Sequence, residues 1–265
     1  MTILKKMKLS IITINYNNLE GLRRTYDSVV AQTCKDFEWI IIDGGSTDGS
    51  KEFIEEHQAQ FAYWCSEPDN GIYNAMNKGI AKATGEYLQF LNSGDNLVDD
   101  NVVAEFLALG CNEDVVTGDM IIDGDEKNVR KSPEEEDLDF ERFYRGTINH
   151  SPSYIKKGLF ERYGLYDESL RIVSDWKFFL ETLVIHNCSY RRWDCKVSCF
   201  YTDGISESQK YHELHIKERQ GVLSQYERVI RTVDRQFERI QELDQPILVL
   251  FRRKVVLKIK KMIGR

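Results

Sequence analysis

Leu9-Ser-Ile-Ile-Thr-Ile-Asn15 and Phe37-Glu-Trp-Ile-Ile-Ile42 are two short apolar runs, and polar residues follow each of them at once. Runs of this length, rich in isoleucine, are typical of strands buried in a parallel sheet. Asn15-Tyr16-Asn17 ends the first run, and Asp43-Gly44-Gly45-Ser46 follows the second. The pattern predicts two buried strands whose carboxyl ends carry polar side chains.

The same arrangement occurs twice more along the chain. A third strand is predicted over 61–66 and a fourth over 86–91, with polar clusters at 67–71 and 92–95. Alternation of strands and helices predicts an α/β fold, with a mostly parallel sheet flanked by helices. Because ligands bind at the carboxyl ends of such strands, we expect the polar clusters to form one pocket. The intervening helices are predicted over 19–32, 51–57 and 72–83.

The second half of the chain is less regular. Residues 114–122 predict a strand, 123–139 an exposed hairpin and loop, and 189–201 a pair of strands. Apolar residues recur at steps of three and four from 223 to 240, which is typical of a heptad helix and makes a homo-oligomer a candidate assembly. Residues 247–265 combine basic residues with an apolar helical face, so an anionic membrane surface is a candidate partner. A helix packed on its own domain is the alternative.

Composition and charge narrow the class of protein. The 265 residues carry a net charge of -7 and are 42% hydrophobic, which indicates a folded acidic protein and argues against a nucleic-acid partner. No uncharged apolar run is long enough to span a membrane, and residues 1–8 lack the apolar region of a signal peptide. A cytoplasmic location is therefore expected, with peripheral attachment at the inner face of the membrane as a candidate refinement.

Two common nucleotide-binding motifs are missing from the sequence. No G-x-G-x-x-G follows the first strand and no G-x-x-x-x-G-K-[ST] occurs, which argues against a dinucleotide dehydrogenase and a P-loop enzyme. A sugar-phosphate nucleotidyltransferase would also have a Gly-rich loop after the first strand. Two strand-end acids remain. Asp43 can accept hydrogen bonds from a nucleotide or belong to an ordinary Asp-Gly turn, and Asp95 can bind a hard divalent cation.

Four motifs occur in order along the chain. They are residues 9–15, Ile42-Asp-Gly-Gly-Ser-Thr-Asp48, the stretch 66–79 and Phe90-Leu-Asn-Ser-Gly-Asp95. Together they resemble the family-two glycosyltransferases of the GT-A (Rossmann-like) fold. The resemblance implies a GT-A catalytic domain over 1–205, with a nucleotide-binding half over 1–95, an acceptor half over 96–205 and a C-terminal helical extension over 206–265.

The resemblance also assigns residues to the nucleotide and the metal. The family's Asp-x-Asp motif falls on Asn92-Ser93-Gly94-Asp95, where Asn92 stands in place of the first aspartate. Asp95 is then expected to be the sole carboxylate of the motif that binds Mn²⁺ or Mg²⁺. The residues implied to surround the nucleotide are Thr13, Asn15, Tyr16, Asp43, Gly44, Asp69, Gly71, Asn74, Lys78 and Asn92.

The catalytic chemistry implied by the resemblance centres on Asp175. This residue begins a helix predicted over 174–185 and matches the family's catalytic base, although an ordinary helix-start acid is the alternative. His150 and Trp176 are expected to contact the donor or acceptor. The expected reaction is inverting transfer from a nucleotide diphosphate sugar, a UDP-sugar first, to a hydroxyl of a glycan or lipid-linked acceptor in cell-surface polysaccharide biosynthesis. Because Asn92 departs from the motif, a catalytically inactive nucleotide-sugar or glycan-binding subunit is the alternative.

Overall fold

The computed structural model of the chain describes residues 9–202 and 209–227, which contain a nine-stranded mixed sheet. The four strands predicted in the first half lie side by side in the order β3-β2-β1-β4, and all four run parallel. The α/β fold class and its parallel arrangement are confirmed. The strands are β1 Leu9–Asn15, β2 Phe37–Asp43, β3 Tyr63–Ser66 and β4 Tyr87–Phe90.

The second half extends this sheet with both strand directions. Strand β8 pairs antiparallel with β4 and β6, and β9 runs parallel to β6. The hairpin expected after residue 122 is present, because β7 pairs with β6. The strand pair expected over 189–201 is wrong, because one long strand with no turn-forming glycine or proline occupies that stretch. These strands are β5 Asn96–Leu97, β6 Val115–Ile122, β7 Asp125–Arg130, β8 Ser153–Lys156 and β9 Tyr190–Phe200.

Helices cover both faces of the sheet. Strand β1 shows why, since Ile12 and Ile14 belong to one buried cluster while Leu9 and Ile11 belong to the other. None of the helices among the described residues is long and apolar enough to cross a membrane. The helices are α1 Leu19–Val30, α2 Ser50–Glu56, α3 Ile72–Lys82, α4 Val102–Ala108, α5 Phe140–Arg145, α6 Lys157–Tyr163, α7 Ser174–Phe179 with a π-helical continuation Leu180–Ile185, and α8 Gln209–Ser224.

Helix α8 packs against α3, α7 and the segment before α7. Val222 is buried in the same cluster as α3 and α7, and Leu223 and Tyr226 pack against that cluster. The Glu218 carboxylate accepts hydrogen bonds from the backbone N–H groups of Arg171 and Ile172, at 2.8 and 3.0 Å. The first two residues of the heptad stripe therefore contact this chain itself. The rest of the stripe and residues 247–265 lie outside the described residues, so the oligomer and the membrane contact stay predictions.

Candidate active site

The loop after β2 is organised around a carboxylate with no solvent exposure. Asp43 Oδ1 accepts hydrogen bonds from Asn15 Nδ2 at 2.7 Å and Ser46 Oγ at 2.5 Å. Its Oδ2 accepts from the Ser46 backbone N–H at 2.9 Å and from Ser66 Oγ at 2.6 Å. Four internal donors hold Asp43 in place, so a nucleotide could reach this carboxylate only by displacing one of them. The side chain fixes the loop that carries Gly44.

The end of β1 supplies one buried amide and one exposed ring. Asn15 is 3% exposed, and its Oδ1 is buried without a hydrogen-bond partner among the described residues. Tyr16, the next residue, is 58% exposed. Thr13 was expected near the nucleotide, but its side chain is fully buried and its Oγ1 accepts the indole N–H of Trp39 at 3.0 Å. Strand β1 is buried on both faces, so Thr13 packs in the core, whereas Tyr16 follows the end of the strand and reaches the surface.

Gly44 lies between the ring of Tyr16 and the carboxylate of Asp69. A methyl group built on Gly44 would lie 2.6 Å from Asp69 Oδ2 and 3.1 Å from Tyr16 Cδ2. The three predicted residues are thus neighbours, and only a residue without a side chain fits between the other two. An exposed ring beside a carboxylate and open backbone can stack on a flat base and accept hydrogen bonds from it.

The segment from 67 to 78 connects the two halves of the site. Asp69 Oδ1 accepts the backbone N–H of Gly71 at 2.8 Å, and Gly71 has a φ of 114°. Asn74 donates to Glu168 Oε2 at 2.9 Å, in the segment before α7. Lys78 pairs with Glu67 at 2.8 Å, and this hydrogen bond raises the pKa of the lysine. In this structure Asn74 and Lys78 therefore bind protein carboxylates and hold the segment in shape.

Helix α1 fixes the turn that contains Asp95. Thr25 Oγ1 donates to the Asp95 carbonyl at 2.6 Å and accepts the Gly94 N–H at 3.1 Å. Arg24 donates to the Gly94 carbonyl at 3.3 Å, and Gly94 has a φ of 108° that favours glycine. Asp95 itself is 7% exposed. The turn is therefore rigidly attached to the helix that follows β1.

The turn carries one carboxylate that a hard divalent cation could use. Mg²⁺ and Mn²⁺ take oxygen ligands, and Mg²⁺ is usually bound through one or two carboxylates plus phosphate oxygens and water. Asp95 provides one such carboxylate. Within residues 9–202 and 209–227, no group of three or more histidine, cysteine, aspartate or glutamate side chains is arranged to hold a metal. A cation here would depend on Asp95 together with a bound diphosphate.

Asp175 lies in the first turn of α7, where both of its carboxylate oxygens have donors. Tyr73 donates its hydroxyl to Asp175 Oδ1 at 2.8 Å, and His150 Nδ1 lies 3.4 Å from Oδ2. The other ring nitrogen of His150, Nε2, lies 3.2 Å from Asn92 Nδ2. His150 and Asp175 remain 27% and 18% exposed at their side chains. The structure thus brings Asn92, His150 and Asp175 together in one chain of contacts.

The surroundings of Asp175 keep it ionised. Burial by itself raises the pKa of this carboxyl, but the hydrogen bonds and charge of His150, the Tyr73 hydroxyl and the backbone N–H of Trp176 outweigh burial, and the net pKa lies below the ordinary value. For His150, burial lowers the pKa, whereas Asp175 and the more distant Asp95 raise it further, so the net shift is upward. Asp175 is therefore an anion at neutral pH, as proton abstraction requires.

Trp176, the residue after Asp175, is buried in the core. Its ring is 2% exposed, and its indole N–H donates to the Phe143 carbonyl at 2.9 Å. The guanidinium of Arg219 on α8 lies 4.4 Å from the ring centre and donates to the carbonyls of Phe143, Tyr144 and Gly146. Because successive helix positions point in different directions, Trp176 packs in the core beside Asp175, and its expected contact with donor or acceptor stays a prediction.

Three residues near Asp175 were missed from the sequence. Tyr73 lies inside the motif 66–79, but its position resembled an apolar helix residue that packs in the core. Arg219 and His215 are on α8, beyond the segment that resembles the family, and charge interactions with Asp175 act on the pKa of both. Only the contact between α8 and the acceptor half reveals them.

Relatives of known sequence match most of the chain. The family model for glycosyl transferase family 2 matches residues 10–170. An uncharacterized glycosyltransferase of Mycobacterium tuberculosis is 33% identical over 207 residues, which are 76% of this chain and 78% of that protein. A PGL/p-HBAD biosynthesis glycosyltransferase of Mycobacterium bovis is 33% identical over 176 residues, 64% of this chain and 67% of that protein.

Solved structures of glycosyltransferases share the fold. Staphylococcus aureus TarS 1-349 in complex with UDP-GlcNAc gives a TM-score of 0.63 at 17% identity, over 78% of this chain and 64% of that one. The mannosyltransferase PcManGT from Pyrobaculum calidifontis, in complex with GDP-Man and Mn²⁺, gives 0.60 at 16% identity, over 84% and 64%. The sequence match and the shared architecture agree, and the chain belongs to glycosyl transferase family 2, with the GT-A fold.

Proposed function

We propose that this chain transfers a sugar from a nucleoside diphosphate donor to an acceptor hydroxyl, with inversion at the anomeric carbon. A UDP-sugar is the first candidate donor. One observation carries the proposal. Asp175 is an ionised, partly exposed carboxylate held by Tyr73 and His150, and His150 connects it to the turn of Asn92 and Asp95. A catalytic base next to a diphosphate site is the arrangement needed for an acceptor hydroxyl to attack the donor sugar and displace the diphosphate.

The donor would lie along the carboxyl ends of β1, β2 and β4. We assign the nucleobase of the donor to a site formed by the ring of Tyr16, the backbone of Gly44 and the carboxylate of Asp69. These three groups are adjacent, and two of them present polar or aromatic surface. Two of the related structures bind UDP-GlcNAc and GDP-Man, which supports a nucleotide sugar as the donor class. We assign Asp43, Asn74 and Lys78 to holding these loops in shape.

Asp95 would hold the divalent cation, and the Mn²⁺ in PcManGT supports this assignment. When bound, the cation supplies neutralisation of the diphosphate's negative charge. Asp95 contributes one buried carboxylate, whose backbone is fixed by Thr25. The protein's own part is to keep this carboxylate at the end of β4, beside the pocket.

The chemical step forms one bond and breaks one. Asp175 accepts the proton of the acceptor hydroxyl, the acceptor oxygen bonds to the anomeric carbon, and the bond from that carbon to the diphosphate oxygen breaks. The diphosphate leaves with the bonding electron pair. Because attack and departure take place on opposite faces of the sugar, a single displacement inverts the anomeric configuration. The ionised state of Asp175 and its 18% exposed side chain suit it to receive the proton.

The name of one relative bears on the class of acceptor. A relative is named for PGL/p-HBAD biosynthesis, which favours a glycan or lipid-linked acceptor in the synthesis of cell-surface polymers. We propose that the acceptor enters from the side of α7 and α8. Attachment at the cytoplasmic face of a membrane would depend on residues 247–265, beyond the described part of the chain.

A thermal-shift screen of nucleotide sugars, with and without Mn²⁺, tests the proposal, because a ligand that binds the folded state raises its apparent stability. We expect a UDP-sugar to stabilise the protein, more strongly with Mn²⁺. Turnover of that donor should give a product of inverted configuration by proton NMR. Stabilisation without turnover on any acceptor would instead support an inactive binding subunit. A product of retained configuration would contradict the proposal.

A further inference from the structure

The imidazole of His150 lies between two groups with different hydrogen-bonding chemistry. Its Nε2 lies 3.2 Å from Asn92 Nδ2, and its Nδ1 lies 3.4 Å from Asp175 Oδ2. A side-chain amide nitrogen only donates, and an ionised carboxylate only accepts. With the amide nitrogen of Asn92 facing the ring, Nε2 accepts this hydrogen bond, and the proton of the neutral ring sits on Nδ1, facing Asp175.

We propose that Asn92 acts through His150, and that His150 is a positioning residue which holds Asp175 by an Nδ1–H hydrogen bond. This inference rests on the proposed function, in which Asp175 is the base. It assigns Asn92 to the support of the catalytic base, Asp175, and not to binding of the nucleotide. The donor turn and the acceptor base would then be linked by one hydrogen-bonded ring.

The same geometry explains what an amide achieves at position 92. A carboxylate in place of Asn92 would accept a proton from Nε2 and favour the imidazolium form of His150. A full positive charge beside Asp175 would make that carboxylate a weaker base. The amide of Asn92 instead donates to Nε2 and adds no negative charge beside the ring, so Asp175 keeps an oriented Nδ1–H donor.

A second donor completes the support of Asp175. Tyr73, which is 4% exposed, holds Oδ1 at 2.8 Å from α3, while His150 holds Oδ2 from the segment before β8. Burial and the charge of Asp175 raise the pKa of Tyr73, so its hydroxyl stays protonated and remains a donor. Donors from two different parts of the chain therefore fix one carboxylate orientation.

Other titratable groups also interact with the Asp175 carboxylate, and they are the same in the wild type and in the variants used below. Tyr166, in the segment before α7, and His215 and Arg219, on α8, interact with Asp175 through charge. Asp95 acts on His150 from the donor side. Replacing His150 or Asn92 leaves all four in place.

Nitrogen-15 NMR of the imidazole rings tests the tautomer without any substrate. The full chain has five histidines, and the His150 signals are identified by their loss in His150→Asn. At about pH 8, above the ordinary histidine pKa, we expect Nδ1 to carry the proton in the wild type. Asn92→Ala should shift the ring toward the Nε2–H tautomer. An Nε2–H tautomer in the wild type, or an unchanged ring in Asn92→Ala, would overturn the inference.

Turnover of UDP-GlcNAc, followed by UDP release with water as the acceptor, tests the consequence. His150→Leu should lower kcat by about tenfold to a hundredfold with donor KM little changed, as expected for loss of an oriented base. Adding Asn92→Ala to His150→Leu should cost nothing further, because both act through one contact. Additive losses, or an Asn92→Ala effect on KM alone, would overturn the inference.

Controls separate a positioning role from simple destabilisation. His150→Asn places an uncharged amide donor near the position of Nδ1, so it should recover most of the turnover lost in His150→Leu. His150→Leu should also move the acid limb of kcat/KM to higher pH, because Asp175 loses a contact that lowers its pKa. His186→Leu, on an exposed ring stacked on Tyr163, should keep wild-type turnover. If no UDP-sugar of the thermal-shift screen binds or releases UDP, the proposed function fails, while the NMR result still decides the contact.

Discussion

The contact between Gly44, Asp69 and Tyr16 gives a prediction with a defined magnitude. In Gly44→Ala the new methyl carbon would lie 2.6 Å from Asp69 Oδ2 and 3.1 Å from Tyr16 Cδ2. Ordinary contacts are about 3.5 Å, so the carboxylate must move by roughly 1 Å and the ring by somewhat less. Gly44 has no positive φ, so the substitution adds no backbone strain. The change acts on the geometry of the proposed base pocket and hardly on the fold.

We expect Gly44→Ala to weaken UDP binding by about tenfold, or about 1.4 kcal/mol. Isothermal titration of UDP in the presence of Mn²⁺ measures this directly, and thermal unfolding in the absence of nucleotide should change by only about 1 to 2 °C. Gly158→Ala is the matched control, because its added methyl group meets nothing within 4 Å apart from its chain neighbours and the backbone of its own helix. Unchanged UDP affinity in Gly44→Ala, with a native unfolding transition, would refute the assignment of the base to this contact.

Three further predictions concern the metal, α8 and pH. Asp95→Ala should abolish the Mn²⁺-dependent gain in UDP affinity, and a gain of wild-type size would rule out Asp95 as the ligand. Arg219→Met should lower the free energy of unfolding by about 2 to 3 kcal/mol in urea, through lost hydrogen bonds and the contact with the Trp176 ring. The same substitution at the exposed Lys217 is the control. An equal loss of unfolding free energy in both variants would show that the contacts of Arg219 do not contribute specifically. Since the pKa of Asp175 is lowered, kcat/KM should stay high through neutral pH and fall only as pH drops through a value below the ordinary aspartate range. An acid limb of kcat/KM near neutral pH would refute a lowered pKa for Asp175.

The first half of the fold was predictable because local sequence and tertiary structure agree there. The strands at 9–15 and 37–43 are buried on both faces, and their isoleucine-rich runs reflect that burial. In the second half, β9 could not be told from a strand pair, because its burial changes along its length. The predicted break had no turn residue to support it.

In the candidate site, the positions of several residues could be predicted from the sequence, but the contacts of their side chains could not. The sequence placed Tyr16, Gly44 and Asp69 at strand ends, and the structure brings these residues together. It could not show that the side chains of Thr13 and Trp176 are buried. Strand β1 is buried on both of its faces, and one step along helix α7 rotates the side chain from the site into the core. The contact of Asn92 with His150 joins residues 58 positions apart and leaves no local pattern.

The central claim is that Asp175 removes the acceptor proton, and Asp175→Asn tests it most directly. Asparagine keeps the shape of the side chain but cannot act as a base. With the donor that stabilises the protein most, we predict a loss of kcat by a factor on the order of 10² to 10⁴, while nucleotide affinity stays within about threefold of the wild type. Wild-type turnover in Asp175→Asn, or a loss of nucleotide binding as large as the loss of turnover, would contradict the account.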